Sequence, residues 1–153
     1  MYIVCTYGGT KAMRELAEDV VEFTCRALMP RKRTLNIDIE IKDTLKEGAW
    51  GFCCSYNDQH TIELHNKMDS LYEYIATICH ECVHVQQHCM GILNEVRGKQ
   101  MWKGSDYTEV AYSKQPWEKE AFAMQHKLAK AYLKHRGITI TKAKTLSPRR
   151  KIL

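Results

Sequence analysis

Apolar and polar positions along the chain change period several times, and each change marks an element. Met13, Leu16, Ala17, Val20, Ala27 and Leu28 recur at helical spacing opposite Arg14, Glu15, Glu18, Glu22 and Arg26. With Thr10 as a cap and Pro30 as a stop, they predict a one-sided packing helix over residues 10–29. A short β-prone segment, residues 1–6, precedes it across Gly8-Gly9, and Arg31-Lys32-Arg33 after it reads as a solvated loop. Residues 35–42 alternate without a fault, the pattern of a half-buried strand. Residues 49–56 predict a second strand, with Trp50, Phe52, Cys54 and Tyr56 on one face. Residues 61–65 predict a third, joined to the second as a hairpin through Asn57-Asp58-Gln59.

Residues 70–91 carry the most information. Ser70-Leu71-Tyr72-Glu73 has the form of a capping box, and Gly91 supplies a stop. At ~100° per residue, Leu71, Tyr74, Ile75, Ile78, Cys82, Val85 and Cys89 share one side of the helix. Ala76, Cys79, Val83 and Met90 widen that arc to roughly 200°, well beyond the apolar face of an ordinary surface helix. What remains is one polar stripe: Glu73, Thr77, His80, Glu81, His84, Gln87 and His88. It holds no Lys or Arg, which a solvated stripe would carry, so it is expected to face something polar inside the protein.

Residues 94–115 are the least regular and read as a long loop with a short hairpin. Pro116 suits the first turn of a last helix ending at His135 or Arg136, with Gly137 as its stop. Its expected core face is Ala121, Met124, Leu128, Ala131 and Tyr132. The expected organisation is one α+β domain over residues 1–141. It comprises an N-terminal helix, a sheet of about three strands, the polar-striped helix, a long loop and the last helix. Residues 142–153, with Lys142, Lys144, Arg149, Arg150 and Lys151 beside Pro148, read as a basic, flexible tail.

Composition narrows the class without choosing a function. A chain of 153 residues, 44% hydrophobic and 27% charged, can bury a real core. The net charge of +5 is partly gathered at the end of the chain and argues weakly for a polyanionic partner. No apolar run reaches the ~18 residues of a membrane span, and the first residues have no secretory pattern. Seven cysteines without such a signal are expected to be reduced thiols in a cytoplasmic protein. Cys79 and Cys82 fall on the apolar arc and read as core, and Cys53 and Cys54 point to opposite faces of their strand.

The stripe changes the picture most. His80-Glu81-Cys82-Val83-His84 is an H-E-x-x-H motif. Two imidazoles at i and i+4 lie ~40° apart around the helix and ~6 Å apart along it, so both can reach one ion. Glu81 falls beside them, where a carboxylate can take a proton from metal-bound water. His88 is ~12 Å along the axis from His80, too far to share that ion, and is expected to line a cleft or the surface. A third ligand must come from elsewhere. Glu118 and Glu120, in the first turn of the last helix, are both candidates; they point ~200° apart, so only one can serve. Tyr107, Tyr112 and His126 are candidates by residue type for a donor to a developing oxyanion.

These residues also resemble a known family. His80-Glu81-x-Val83-His84-Val85-x-Gln87, Gly91 and Leu93, Trp102-x-Gly104 and Tyr107, and Pro116-Trp117-Glu118-x-Glu120-Ala121 follow one another as in the small zincin-type metallopeptidases of tailed bacteriophages and some bacteria. That family is related in layout to ImmA/IrrE and SprT-like proteins. The first half of the chain matches only in its helix-then-strands order. The resemblance implies a zincin-like, minigluzincin fold, zinc as the metal, and a glutamate of a later helix as third ligand. In the ImmA/IrrE group a Glu-Ala pair before an aromatic carries that ligand. Glu120-Ala121-Phe122 matches it, so the resemblance favours Glu120 over Glu118. Many relatives place an Asp four residues after the ligand glutamate to orient a histidine; Met124 stands there, leaving that role open.

The expected function is a zinc metallopeptidase with Glu81 as general base, acting on an extended peptide paired with the strand at residues 61–65. Two alternatives stand beside it. One is a zinc-stabilised protein-binding module that cleaves nothing; the other is a protease acting on nucleic-acid-bound proteins through the basic tail. No membrane partner is expected.

Overall fold

In the computed structural model, which describes residues 1–140 and 151–153, the alternation of residues 35–42 becomes strand β2 (Leu35–Lys42). Leu35, Ile37, Ile39 and Ile41 are buried and the residues between them face outward. β1 (Tyr2–Gly8) lies parallel to it, and the crossover between them is α1 (Lys11–Leu28). Thr10 Oγ1 caps α1 by accepting from the Met13 amide at 3.2 Å. Gly8 sits at φ +83°, and any side chain there would strike the Ile41 carbonyl, so the turn into α1 requires glycine.

β3 (Gly51–Tyr56) and β4 (Gln59–His65) form the expected hairpin, with Asn57 at positive φ in its two-residue turn. β4 then pairs parallel with β2, giving a four-stranded sheet of order β1-β2-β4-β3 rather than about three strands. The protein is α+β. β4 has a neighbour on both sides, so the strand at residues 61–65 has no free edge for a peptide. The outer strands of this sheet are β1 and β3, and β3 is the one beside Glu81.

The helices cover one face of the sheet. α2 (Leu71–Cys89) begins at Ser70, whose Oγ accepts from the Glu73 amide at 3.1 Å. Its Ile75, Ile78, Cys82 and Val85 share one core with Val20 and Val21 of α1, with Ile39, Ile62 and Leu64 of the sheet, and with Ala121 and Tyr132 of the last helix. All seven cysteines are free thiols; Cys79 and Cys82 are core, and Cys53 is buried while Cys54 is exposed.

The irregular region is more ordered than its composition predicts. Strands β5 (Leu93–Val96), β6 (Lys99–Trp102) and β7 (Ser105–Asp106) form an antiparallel meander. Arg97-Gly98 and Lys103-Gly104 make its turns, all four residues at positive φ. Leu93 and Trp102 pack with Trp117 in a small second core, which clamps the start of α3 (Pro116–Arg136). The far end of α3 is tied to α1: the Tyr132 hydroxyl donates to Asp19 at 2.6 Å and Arg136 donates to the same carboxylate. The buried face of α3 is Trp117, Glu118, Ala121, Gln125, Leu128, Ala129, Tyr132 and Leu133, so Met124 and Ala131 lie off the expected centre.

Most of the expected basic tail, including Lys142, Lys144, Arg149 and Arg150, lies outside the described residues. Its last three residues do not trail. Lys151 pairs with Glu47 at 3.4 Å, and Ile152 is buried against Gly51. Among the described residues no helix is long and apolar enough to cross a membrane.

Ser70→Ala removes the α2 cap and should cost about 1 kcal/mol. Urea unfolding should show a lower midpoint with an unchanged slope.

Candidate metal centre

The polar stripe of α2 is as buried as its apolar arc. Thr77, His80, Glu81, His84 and Gln87 are all sealed from solvent, with α3 against the imidazoles and Gln87, and Gly51 and Ile152 on the side of Thr77 and Glu81. Glu118, in the first turn of α3, enters between the two imidazoles. Its Oε2 lies 3.2 Å from His80 Nε2 and its Oε1 lies 2.6 Å from His84 Nε2. One donor atom from each of the three residues falls within 4.8 Å of the others.

Glu118, not Glu120, therefore joins the histidines. Glu120 faces the other way round the helix and accepts from Gln87 Nε2 at 3.2 Å. The buried phase of α3 holds the reason: Glu118, Ala121, Gln125 and Leu128 recur at steps of three and four, and Glu120 falls off that line.

Both outer imidazole nitrogens are held by amides. His80 Nδ1 donates to Gln125 Oε1 at 2.8 Å, and His84 Nδ1 donates to Gln87 Oε1 at 2.8 Å. These bonds fix the tautomers and leave both Nε2 atoms turned to Glu118. Gln87 Nε2 also donates to the Trp117 carbonyl at 3.1 Å, locking the start of α3 to α2. Sequence reasoning left the orienting group open; Gln125 fills that role one residue after Met124. Two signals were available, Gln87 three residues after His84 on the stripe and Gln125 seven after Glu118 on α3.

Electrostatics follow from burial and this pairing. Burial opposes the Glu118 anion, but contact with His80 and His84 overrides it and holds the carboxyl down at about 2. Burial likewise opposes the His84 cation, and Glu118 overrides it, raising His84 to about 9. For His80 burial wins and the imidazole is shifted down. Without an ion, one proton is thus held at His84 beside Glu118. Glu81 is fully buried, and both its oxygens lack a protein hydrogen-bond partner among the described residues. Burial lifts it to about 8; His84 opposes this and the Glu118 charge adds to it.

The three candidate oxyanion donors separate cleanly. Tyr107 packs edge-on against Trp117, centroids 6.3 Å apart, in the second core. His126 shares a hydrogen bond with the Tyr72 hydroxyl through Nδ1 at 2.8 Å and stacks on that ring, outside the His80–His84–Glu118 group. Tyr112 lies near the centre: burial first, then the negative charge of Glu118, push its hydroxyl well above the ordinary tyrosine range. It donates to the Ile152 carbonyl at 2.7 Å. His88 stays outside the cluster, and burial lowers it to about 4.

Compared with models of protein families, with curated proteins and with solved structures, the chain matches none of them. What the centre can hold therefore rests on its donors. The 2.6 Å contact between His84 Nε2 and Glu118 lacks hydrogen-bond alignment, leaving Nε2 without a partner in the core. His80, His84 and Glu118, with the His84 proton displaced, are a donor set for a metal ion.

Glu118→Gln should lose bound zinc after dialysis while Glu120→Gln keeps about one ion per chain. Equal retention in the two variants would remove Glu118 from the centre. Gln125→Leu should fold normally yet bind zinc about 10–100-fold more weakly in competition with a chromogenic chelator.

Proposed function

We propose that the protein is a zinc-dependent peptidase of the zincin type, akin to the small gluzincin-like enzymes its motifs resemble. The observation that carries this reading is Glu81: a buried, partnerless carboxyl with a raised pKa, one residue from a ligand histidine. A structural zinc site has no use for such a group, whereas general-base catalysis needs one that exchanges a proton near neutral pH.

His80, His84 and Glu118 would hold the ion. Bound zinc supplies a Lewis acid and brings a water's pKa towards ~7. Glu81 would take the proton of a water attacking the peptide carbonyl and return it to the leaving amine. The Tyr112 hydroxyl donates to the oxyanion that develops on the carbonyl. Gln87 and Gln125 hold the imidazoles in the tautomer this requires. A peptide in extended form has the outer edge of β3 to pair with, beside Glu81.

One feature favours a zinc-stabilised binding module instead, namely that His80 and Glu81 are wholly closed to solvent. The two readings part on Glu81→Gln. For the peptidase, this variant retains zinc and cleaves fluorescently labelled casein about 10²–10⁴-fold more slowly than the parent. Unchanged cleavage would sink the mechanism, and a zinc-loaded parent without cleavage, its edge freed as described below, would favour the module.

A further inference from the structure

We propose that Lys151–Leu153 is an internal occupant of the site, seated where an extended peptide with a mid-sized aliphatic side chain would bind. This rests on the peptidase reading for the peptide's fate, but the seating itself stands on contacts within the chain.

The segment runs parallel to β3 at a Gly51–Ile152 bridge. The Trp50 amide donates to the Lys151 carbonyl at 2.9 Å, and the Leu153 amide donates to the Gly51 carbonyl at 2.7 Å. This is the main-chain pattern by which a peptide adds a strand to a sheet edge. Among the described residues the bridge is isolated, and the outer edge of β3 beyond it has no partner strand.

The position of the bridge gives it significance. A side-chain carbon on Gly51 would lie 2.7 Å from Glu81 Oε1 and 3.3 Å from Ile152 Cγ2, so the Ile152 side chain and the Glu81 carboxyl meet across a glycine. Ile152 is only 5% exposed there. Its carbonyl accepts from Tyr112, the residue that stands near Glu118. Segment 151–153 thus presents a main-chain carbonyl to the candidate oxyanion donor and an aliphatic side chain to the floor above the candidate base. Lys151 adds two surface contacts, its ammonium 3.4 Å from Glu47 and over the Tyr112 ring. While these contacts persist, a second peptide cannot take the same edge. Its apparent affinity falls by the fraction of time the edge is free.

The test uses the full chain and two variants. Ile152→Asp places a charge in the buried seat, and Leu153→Pro removes the amide that Gly51 accepts while leaving Ile152 in place. The probe is a fluorescein-labelled hexapeptide copying residues 148–153, with a second copy carrying Asp in place of Ile. Both variants should show amide exchange at Trp50 faster by about tenfold or more, with the α2 core still protected. They should bind the first peptide at least about tenfold more tightly than the parent does, and ignore the second. Casein cleavage should rise in parallel. Faster exchange and tighter binding without cleavage by any form would uphold the seating and overturn the peptidase reading. Unchanged exchange and peptide binding in both variants, or measurable cleavage that is equal in parent and variants, would overturn the seating.

Discussion

A carboxylate lodged between two imidazoles in the protein core sets the terms for the rest of the structure. Withdrawing an ionised carboxyl from water costs several kcal/mol after relaxation, whereas a neutral hydrogen bond contributes about 1 kcal/mol net. No set of ordinary contacts around Glu118 offsets that cost. It is met by His84, which Glu118 favours in its protonated form when no ion is bound, with His80 as a second contact. This demands that two helices 38 residues apart at the contact be held in fixed rotation and depth. The Trp102–Trp117 core fixes one end of α3 and the Asp19–Arg136 pair fixes the other. The meander, which looks peripheral, is therefore part of the site's support.

What could be read from the sequence divides along the range of the forces involved. Helix ends depend on neighbours a few residues away, and Thr10, Ser70, Pro116 and Gly137 all act as local chemistry predicts. The alternation of β2 likewise follows from having one buried face. The strand order does not, because β2 pairs with β4 rather than with its sequence neighbour β3, a long-range pairing that no local pattern encodes. The short hairpin expected in residues 94–115 is present as β5 and β6, but the composition hides the third strand, although Arg97-Gly98 and Lys103-Gly104 mark two tight turns six residues apart. The choice of Glu118 over Glu120 was within reach, since the phase of Ala121, Leu128 and Tyr132 already selects it. A motif likeness pointed the other way, and helix rotation is set by the packed face, not by the motif.

The sheet edge illustrates a second constraint. An open β3 edge exposes unpaired amides and carbonyls, a hazard in any sheet protein. Here the stretch nearest Glu81 is covered by the chain's own residues, while farther along the strand Cys54 and Tyr56 turn outward. Protection of the edge and closure of the centre are achieved by the same three residues. Gly51 makes this possible, since any larger residue would push apart the two groups that meet over it.

Gln87 carries a consequence of its own. One amide group reaches His84, the Trp117 carbonyl and Glu120, so the residue that orients a ligand also registers the docking of the last helix. A chain still waiting for α3 has two histidines on one helix, no third donor, and an imidazole whose amide partner is only half restrained. Tight ion uptake would then be a late event in folding, available only to molecules whose helices have reached their final register. A metal bound at this centre would act as an inspector of assembly, rewarding the completed tertiary structure and giving little to partly docked forms.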